Sequence, residues 1–259
     1  MPTDPFSRRK FLVRAGVGAT TLLLGGCDDL SQNPTWRNVL FSAENLTYRA
    51  QRALQARPTL AREYPETDIS PDFRANGSTD PDDADYLKAA RNGFADWRLG
   101  IDGLVEYPVK LSLADLRGLP SRTQITRHDC VEGWSCIGKW TGARLGALLT
   151  RVKLKPNARF LVFHCADTLE NSLDGPIKYY ESIDLIDAYH PQTILAYEMN
   201  DRPLPVAYGA PLRLRVERQL GYKMAKYIMR IEAVETLAPI GDGKGGYWED
   251  RGYEWYAGI

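Results

Sequence analysis

The sequence predicts a mixed α+β protein with more strand than helix. Two segments alternate strictly: Trp97, Leu99 and Ile101 against Arg98 and Gly100, and Leu212, Leu214 and Val216 against Arg213 and Arg215. A period of two is the mark of a strand with one buried face. Clean helical spacing is rarer, its best example being Leu145, Leu148, Leu149 and Val152. No internal repeat is visible.

The first element is an export leader, residues 1–26. Ser7-Arg8-Arg9-Lys10-Phe11-Leu12 places paired arginines before a short apolar run, the twin-arginine pattern. The run holds Arg14 and four glycines, whereas a membrane span needs roughly 20 mostly apolar residues. The twin-arginine route carries proteins that are already folded, often around a cofactor. Leu24-Gly25-Gly26-Cys27 matches a lipoprotein cleavage box. It predicts a lipid anchor at Cys27, with ordinary cleavage nearby as the alternative. Asp28-Asp29 is a pair that lipoproteins of the inner membrane often carry. The expected location is periplasmic, with the chain held to the inner membrane. Residues 27–41 read as a tether and 42–259 as the folded catalytic domain.

Ser42 is placed to cap a helix running to about Ala56, with Glu44 in its first turn. Arg57 to Asp85 reads as irregular but ordered, because it carries Tyr64, Ile69 and Phe73; loops this long are commonly functional. Trp97–Ile101 is a strand, and Val109–Leu111 follows a turn at Glu106-Tyr107-Pro108. Ser112–Leu116 is a short helix ended by Gly118 and Pro120. Thr123–His128 is a strand that delivers Cys130. Arg144–Val152 is helical, and Arg159–Cys165 is a buried strand. Asn200-Asp201 marks a turn. Leu212–Val216 is expected to be a half-exposed strand, and Met224–Val234 a strand or buried segment. The Gly-rich tail, with Trp248, Tyr253 and Trp255, is expected to pack over a cleft.

Composition excludes several classes. The chain has 33 basic and 33 acidic residues; without residues 1–26 it has 29 and 32, a net charge of −3. That is a poor balance for a nucleic-acid binder. Cys27 aside, the cysteines are Cys130, Cys136 and Cys165, an odd number and no disulfide scaffold. With no CxxC, HExxH or CxxCH, structural zinc and covalent haem are not expected.

The chemistry concentrates at Arg127-His128-Asp129-Cys130-Val131-Glu132-Gly133-Trp134-Ser135-Cys136. Three roles are open to Cys130. Its thiolate is a soft ligand for a transition metal. It is equally a nucleophile, with His128 as base. The third is a disulfide to Cys136 or a plain buried thiol. His128, two residues earlier on a strand, shares a face with Cys130.

This segment resembles the cysteine motif of the sulfite-oxidase family of molybdopterin enzymes, most closely the branch of the periplasmic protein-methionine-sulfoxide reductase catalytic subunits. Cys130-Val131-Glu132-Gly133-Trp134-Ser135, then Trp140-Thr141-Gly142, then the Leu-rich helix follow that pattern. A second block agrees: Arg202-Pro203-Leu204-Pro205, Gly209-Ala210-Pro211-Leu212-Arg213, and Gly221-Tyr222-Lys223-Met224-Ala225-Lys226. The likeness covers about Trp97 to Val234.

The resemblance implies the sulfite-oxidase, or oxidoreductase molybdopterin-binding, fold: mixed β-sheets with peripheral helices. It implies a molybdenum–molybdopterin cofactor, with Cys130 as protein ligand to the metal. Arg213 and Lys226 would hold the phosphate and pterin, with Lys223 and the backbone around Met224 and Ala225 completing the cradle. Cys165 falls where relatives place a cofactor-contacting Thr, and Asn76 at an upstream Asn. Tyr208 stands where close relatives carry Asn, and is expected to point into the active site or replace the amide with its hydroxyl. His128 is expected either to tune the site or contact the pterin, or to make a hydrogen bond in the core.

The implied activity is oxygen-atom transfer by a monomer, the reduction of an S-oxide or N-oxide on a small molecule or peptide. Electrons would come from a membrane haem protein or quinone-linked partner. Sulfite-type oxidation by the same cofactor is the enzymatic alternative, although the arginines that follow the cysteine in true sulfite oxidases are replaced here. A binding lipoprotein of this fold without turnover is the other alternative.

Overall fold

The computed structural model describes residues 34–54, 58–173 and 175–259. The leader and Cys27 lie outside the described residues. The chain divides into two compact units, Met1–Leu54 and Gln55–Ile259.

In the first unit, helix α1 spans Pro34–Leu54. It begins well before Ser42, so Ser42 lies inside the helix instead of capping it, and part of the expected tether is helical. Proline suits a helix's first turn, where its missing N–H is not needed.

The second unit holds two sheets. The first combines β1 (Leu99–Gly103), β2 (Val109–Leu111), β5 (Phe160–Ser172), β6 (Gly175–Asp184) and β10 (Ile228–Val234), in the order β2-β1-β10-β5-β6. β1 and β10 are parallel; the remaining pairs are antiparallel. The second sheet runs β3 (Ser121–Asp129), β4 (Ser135–Arg144), β7 (Ile194–Met199), β8 (Arg202–Pro203), with β9 (Arg213–Arg215) also pairing with β7. Helices α2 (Ala84–Arg91), α3 (Leu113–Arg117), α4 (Leu145–Val152) and α5 (Leu185–Ala188) are peripheral to them. This is the mixed-sheet α+β architecture the sequence predicts.

Local chemistry explains the boundaries. Ser112 caps α3 in a full capping box with Asp115, satisfying two otherwise orphaned donors. Asn200 and Asp201 both take positive φ, 51° and 59°, as a two-residue hairpin turn between β7 and β8 requires. α4 buries Leu145, Leu148, Leu149 and Val152 in the main core, with Ile101 of β1, Phe163 of β5, Leu195 of β7 and Ile231 of β10. Core residues thus come from both sheets. A smaller cluster forms around Phe73, Cys136 and Trp140. Phe73 comes from the irregular segment, which is fastened to the second sheet by Tyr64 N–H to the Ile125 carbonyl and Ser70 N–H to the Ile137 carbonyl.

An expectation about exposure also fails. The Leu212–Val216 segment is not half-exposed: all five side chains are buried, arginines included. β9 pairs with β7 on one side, and the Leu214 N–H donates to the Ala225 carbonyl. Buried arginines survive because aromatic and polar partners surround them, as the site makes plain.

Candidate active site

Cys130 begins the turn that joins β3 to β4. His128 and Asp129 still pair with Cys136 and Ser135. The chain then reverses, with Cys130 N–H donating to the Trp134 carbonyl at 2.9 Å and Gly133 N–H to the Cys130 carbonyl at 3.0 Å. Gly133 takes φ +85°, open to glycine at little cost. The half-buried Cys130 lines a cavity of about 160 Å³. Burial pushes its thiol pKa up, so it is not a self-activated nucleophile. Cys130, Cys136 and Cys165 are all free thiols, and the Cys130–Cys136 disulfide does not form. The Cys136 sulfur instead accepts from the Arg74 N–H at 3.4 Å.

Of the residues expected at the site, the cavity wall includes Asn76, Cys130, Met224 and Lys226. The wall does not include His128, Cys165, Tyr208, Arg213, Lys223 or Ala225. Each has a physical reason.

His128 is fully buried. Its Nδ1 lies 3.1 Å from Arg215 Nη1 and 3.3 Å from the Met224 sulfur. Arginine can only donate, so Nδ1 accepts and the proton sits on Nε2. Burial first, then the Arg215 charge, hold its pKa well below the ordinary value. The lone pair a base would need faces Arg215, which argues against His128 activating Cys130. The ring packs against Gly221, a wall residue, where any Cβ would collide with it.

Tyr208 turns away from the cavity, its hydroxyl donating to the Phe73 carbonyl at 2.7 Å. Its role is to fasten the irregular segment. Cys165 is buried on β5, its pKa pushed well up by burial. The Lys223 ammonium is fully buried between Glu181 and Glu249. Burial pulls its pKa down hardest, but the two carboxylates outweigh that and the net shift is upward. The Met224 N–H is committed to the Gly221 carbonyl, so that part of the expected cradle is occupied by the fold itself.

Arg213 and Lys226 are different. Arg213 is fully buried against the Trp140 face, 4.9 Å from the ring centre, with Arg215 at 4.4 Å from the same ring. Arg215 has a carboxylate partner in Glu217, at 2.6 Å. Arg213 has none: Nη1 donates to the Tyr208 carbonyl at 3.0 Å, while Nε and Nη2 are buried without any partner. Burial, then Arg215, lower its pKa to about 9. Lys226 donates to the carbonyls of Asn76, Ser78 and Ala207. Burial, then Arg213, lower its pKa to about 7. Gly209, at φ +110°, lets the two side chains rise side by side; a Cβ there would stand 2.9 Å from Lys226 Cβ and 3.2 Å from Arg213 Cβ.

Two buried cations without a carboxylate ion pair among the described residues demand an anion. A phosphate suits a planar guanidinium fork and an ammonium. A free thiol beside them suits a soft metal. The donor set therefore fits a phosphate-bearing metal cofactor.

Sequence reasoning missed Ser78, Asp167, Tyr179 and Tyr222 in the wall. Asp167 had a readable signal, an acid inside an apolar strand. Trp248 and Tyr253 of the tail also line the cavity, in keeping with the expected cover.

Comparisons with known proteins agree. Residues 87–239 match the oxidoreductase molybdopterin-binding domain. A chain of Azospira oryzae, named as a candidate protein-methionine-sulfoxide reductase subunit, is 35% identical over 97% of this chain and 88% of its own length. The protein-methionine-sulfoxide reductase catalytic subunit MsrP of Ralstonia nicotianae is 31% identical over 90% of this chain and 70% of its own. That of Xanthomonas axonopodis pv. citri is 37% identical over 60% of this chain, which spans about half (51%) of that relative. The matched domain contains Cys130, Arg213 and Lys226, and the chain belongs to the oxidoreductase molybdopterin-binding domain family, as a molybdenum-dependent oxidoreductase.

Proposed function

We propose that this enzyme reduces S-oxides, with methionine sulfoxide, free or within a peptide, as the substrate class. The observation that carries the reading is one cavity with a free thiol in its wall and two unpaired buried cations beside it. The names of the relatives support the reductive direction.

The cofactor, when bound, supplies two-electron oxygen-atom transfer chemistry. Cys130 would be the protein ligand to molybdenum, held as the thiolate. Arg213 and Lys226 take the cofactor's phosphate and pterin. Asn76 and Ser78 hold Lys226 in place through their carbonyls. Trp248, Tyr253 and Tyr222 form the aromatic part of the wall and exclude water. Aromatic faces also favour contact with a thioether, worth about 0.3–1.5 kcal/mol.

Residues 1–26 direct twin-arginine export in this reading, and lipidated Cys27 holds the enzyme at the inner membrane. Electrons then arrive one at a time from a membrane haem or quinone-linked protein.

Metal analysis and a viologen-linked assay test the proposal together. About one molybdenum per chain and oxidation of reduced viologen by methionine sulfoxide are expected. Fully matured protein without molybdenum, or with molybdenum but inert to every S-oxide, overturns it. Cys130→Ala is expected to abolish turnover; retained activity would remove Cys130 from the metal.

A further inference from the structure

We propose that Asp167 is a further catalytic residue, the proton donor to the oxygen that leaves sulfur. This rests on the S-oxide reductase reading above and adds to it a named source of protons.

Asp167 lies on β5, where the ladder with β6 is irregular between His164 and Thr168. Its side chain lines the same cavity as Cys130 and is 4% exposed. The Ser78 hydroxyl donates to Oδ2 at 2.7 Å. Oδ1 is buried with no hydrogen-bond partner. An ionised carboxylate with one orphaned oxygen is costly in such a place. A proton on Oδ1 removes the charge and puts an O–H in the cavity wall.

Burial pushes the Asp167 pKa up, against the opposing Ser78 hydrogen bond, its own backbone N–H and the Lys226 charge. The titratable groups facing it are Lys226, Cys165 on its own strand, Tyr86 of α2, Tyr179 of β6, and Tyr227 just before β10. Burial holds the pKa values of Cys165 and the three tyrosines above their ordinary values, so Lys226 is the one that titrates near neutrality.

Four other wall groups are committed. Glu132 is exposed and takes the Trp134 indole N–H at 2.9 Å. The Tyr222 hydroxyl donates to the Glu254 carbonyl and the Tyr179 hydroxyl to the Tyr222 carbonyl. Lys226 spends its N–H groups on three carbonyls.

The balance requires such a donor. Reduction of an S-oxide breaks one S=O bond and forms two O–H bonds: sulfoxide, two electrons and two protons give thioether and water. The electrons come by way of the cofactor from the external one-electron carrier. Asp167 supplies one proton and solvent the other. Ser78, half-buried on the irregular segment, links Asp167 to the outside and is placed to return the proton.

The test uses the molybdenum-loaded enzyme. Asp167→Asn keeps the shape and the acceptor for Ser78. It is expected to hold its molybdenum and lose about 100-fold or more in kcat, the usual range for a general acid. In wild type, kcat should fall as pH rises through the Asp167 pKa, and that limb should vanish in the variant. The protonated-carboxyl infrared band should vanish with it. Ser78→Ala removes a bond that lowers the Asp167 pKa, so it should move the limb to higher pH; this arm stands if Asp167→Asn fails to fold. Undiminished kcat, loss of molybdenum, or an unmoved limb in Ser78→Ala overturns the donor role. A wild type inert to all S-oxides is a separate result: it removes the reductase reading and the donor role with it.

Discussion

At the residue scale, the site is built on an arginine that the fold leaves with unpartnered nitrogen atoms and a buried lysine that has backbone carbonyls but no carboxylate as partners. Arg215 is neutralised by Glu217, while Arg213 beside it keeps two nitrogen atoms without partners. Arg213→Gln should therefore cost little in folding and much in cofactor retention. A hydrogen bond to a charged group is worth about 1.5–3 kcal/mol, so affinity should fall tenfold or more, read as molybdenum per chain after dialysis. Lys226 has a pH signature. Its folded pKa of about 7 lies below the ordinary 10.5. Between those values the unfolded chain binds a proton that the folded one does not, so stability rises with pH across that window. Urea melts of cofactor-free wild type against Lys226→Met at pH 7 and pH 9 should show the rise in wild type only. A bound phosphate should abolish it by restoring the charge. Arg213 and Lys226 were legible from motif alone. Asp167 was not singled out: an acid inside an apolar strand is a readable signal, but whether it is partnered depends on its surroundings.

At the element scale, periodicity located strands better than it located their exposure. The alternation at Leu212–Val216 correctly marked β9. It misjudged the arginine face, because a buried segment flanked by Trp140, Glu217 and the His128 ring can carry charge on that face. β3 was read as the strand that delivers Cys130 and α4 was placed by its apolar spacing, whereas β4 and the hairpin it forms with β3 were not read. Leu148 is fully buried in the main core. Leu148→Ala should cost about 2–5 kcal/mol, measured by denaturant unfolding, while the folded fraction keeps its activity per molybdenum. β6 and α2 were not read as separate elements. β6 alternates weakly, and α2 depends on the Asp83 cap, whose side chain accepts from Tyr86 N–H.

At the scale of the whole molecule, the fold gathers one wall from distant parts of the chain: Asn76 and Ser78, Cys130, Asp167, Lys226, and Trp248 of the tail. The tail residues lie beyond the matched domain, which ends at 239. Trp248→Ala should raise KM for methionine sulfoxide more than it lowers kcat, because an aromatic wall contributes mainly to binding. Export is a whole-chain property too: Arg8→Lys with Arg9→Lys should leave the protein in the cytoplasm, read by cell fractionation. The sequence by itself determined the fold class, the family and the cofactor, because short motifs in a fixed order preserve the chemistry of thiolate, guanidinium and ammonium. Only the tertiary structure decided which of those groups remain free to act. Lys223 is spent between two glutamates and Tyr208 on a backbone carbonyl, whereas Arg213 and Asp167 keep orphaned atoms. The physical reason is that satisfaction of a buried polar group depends on partners far away in sequence, which no local pattern encodes.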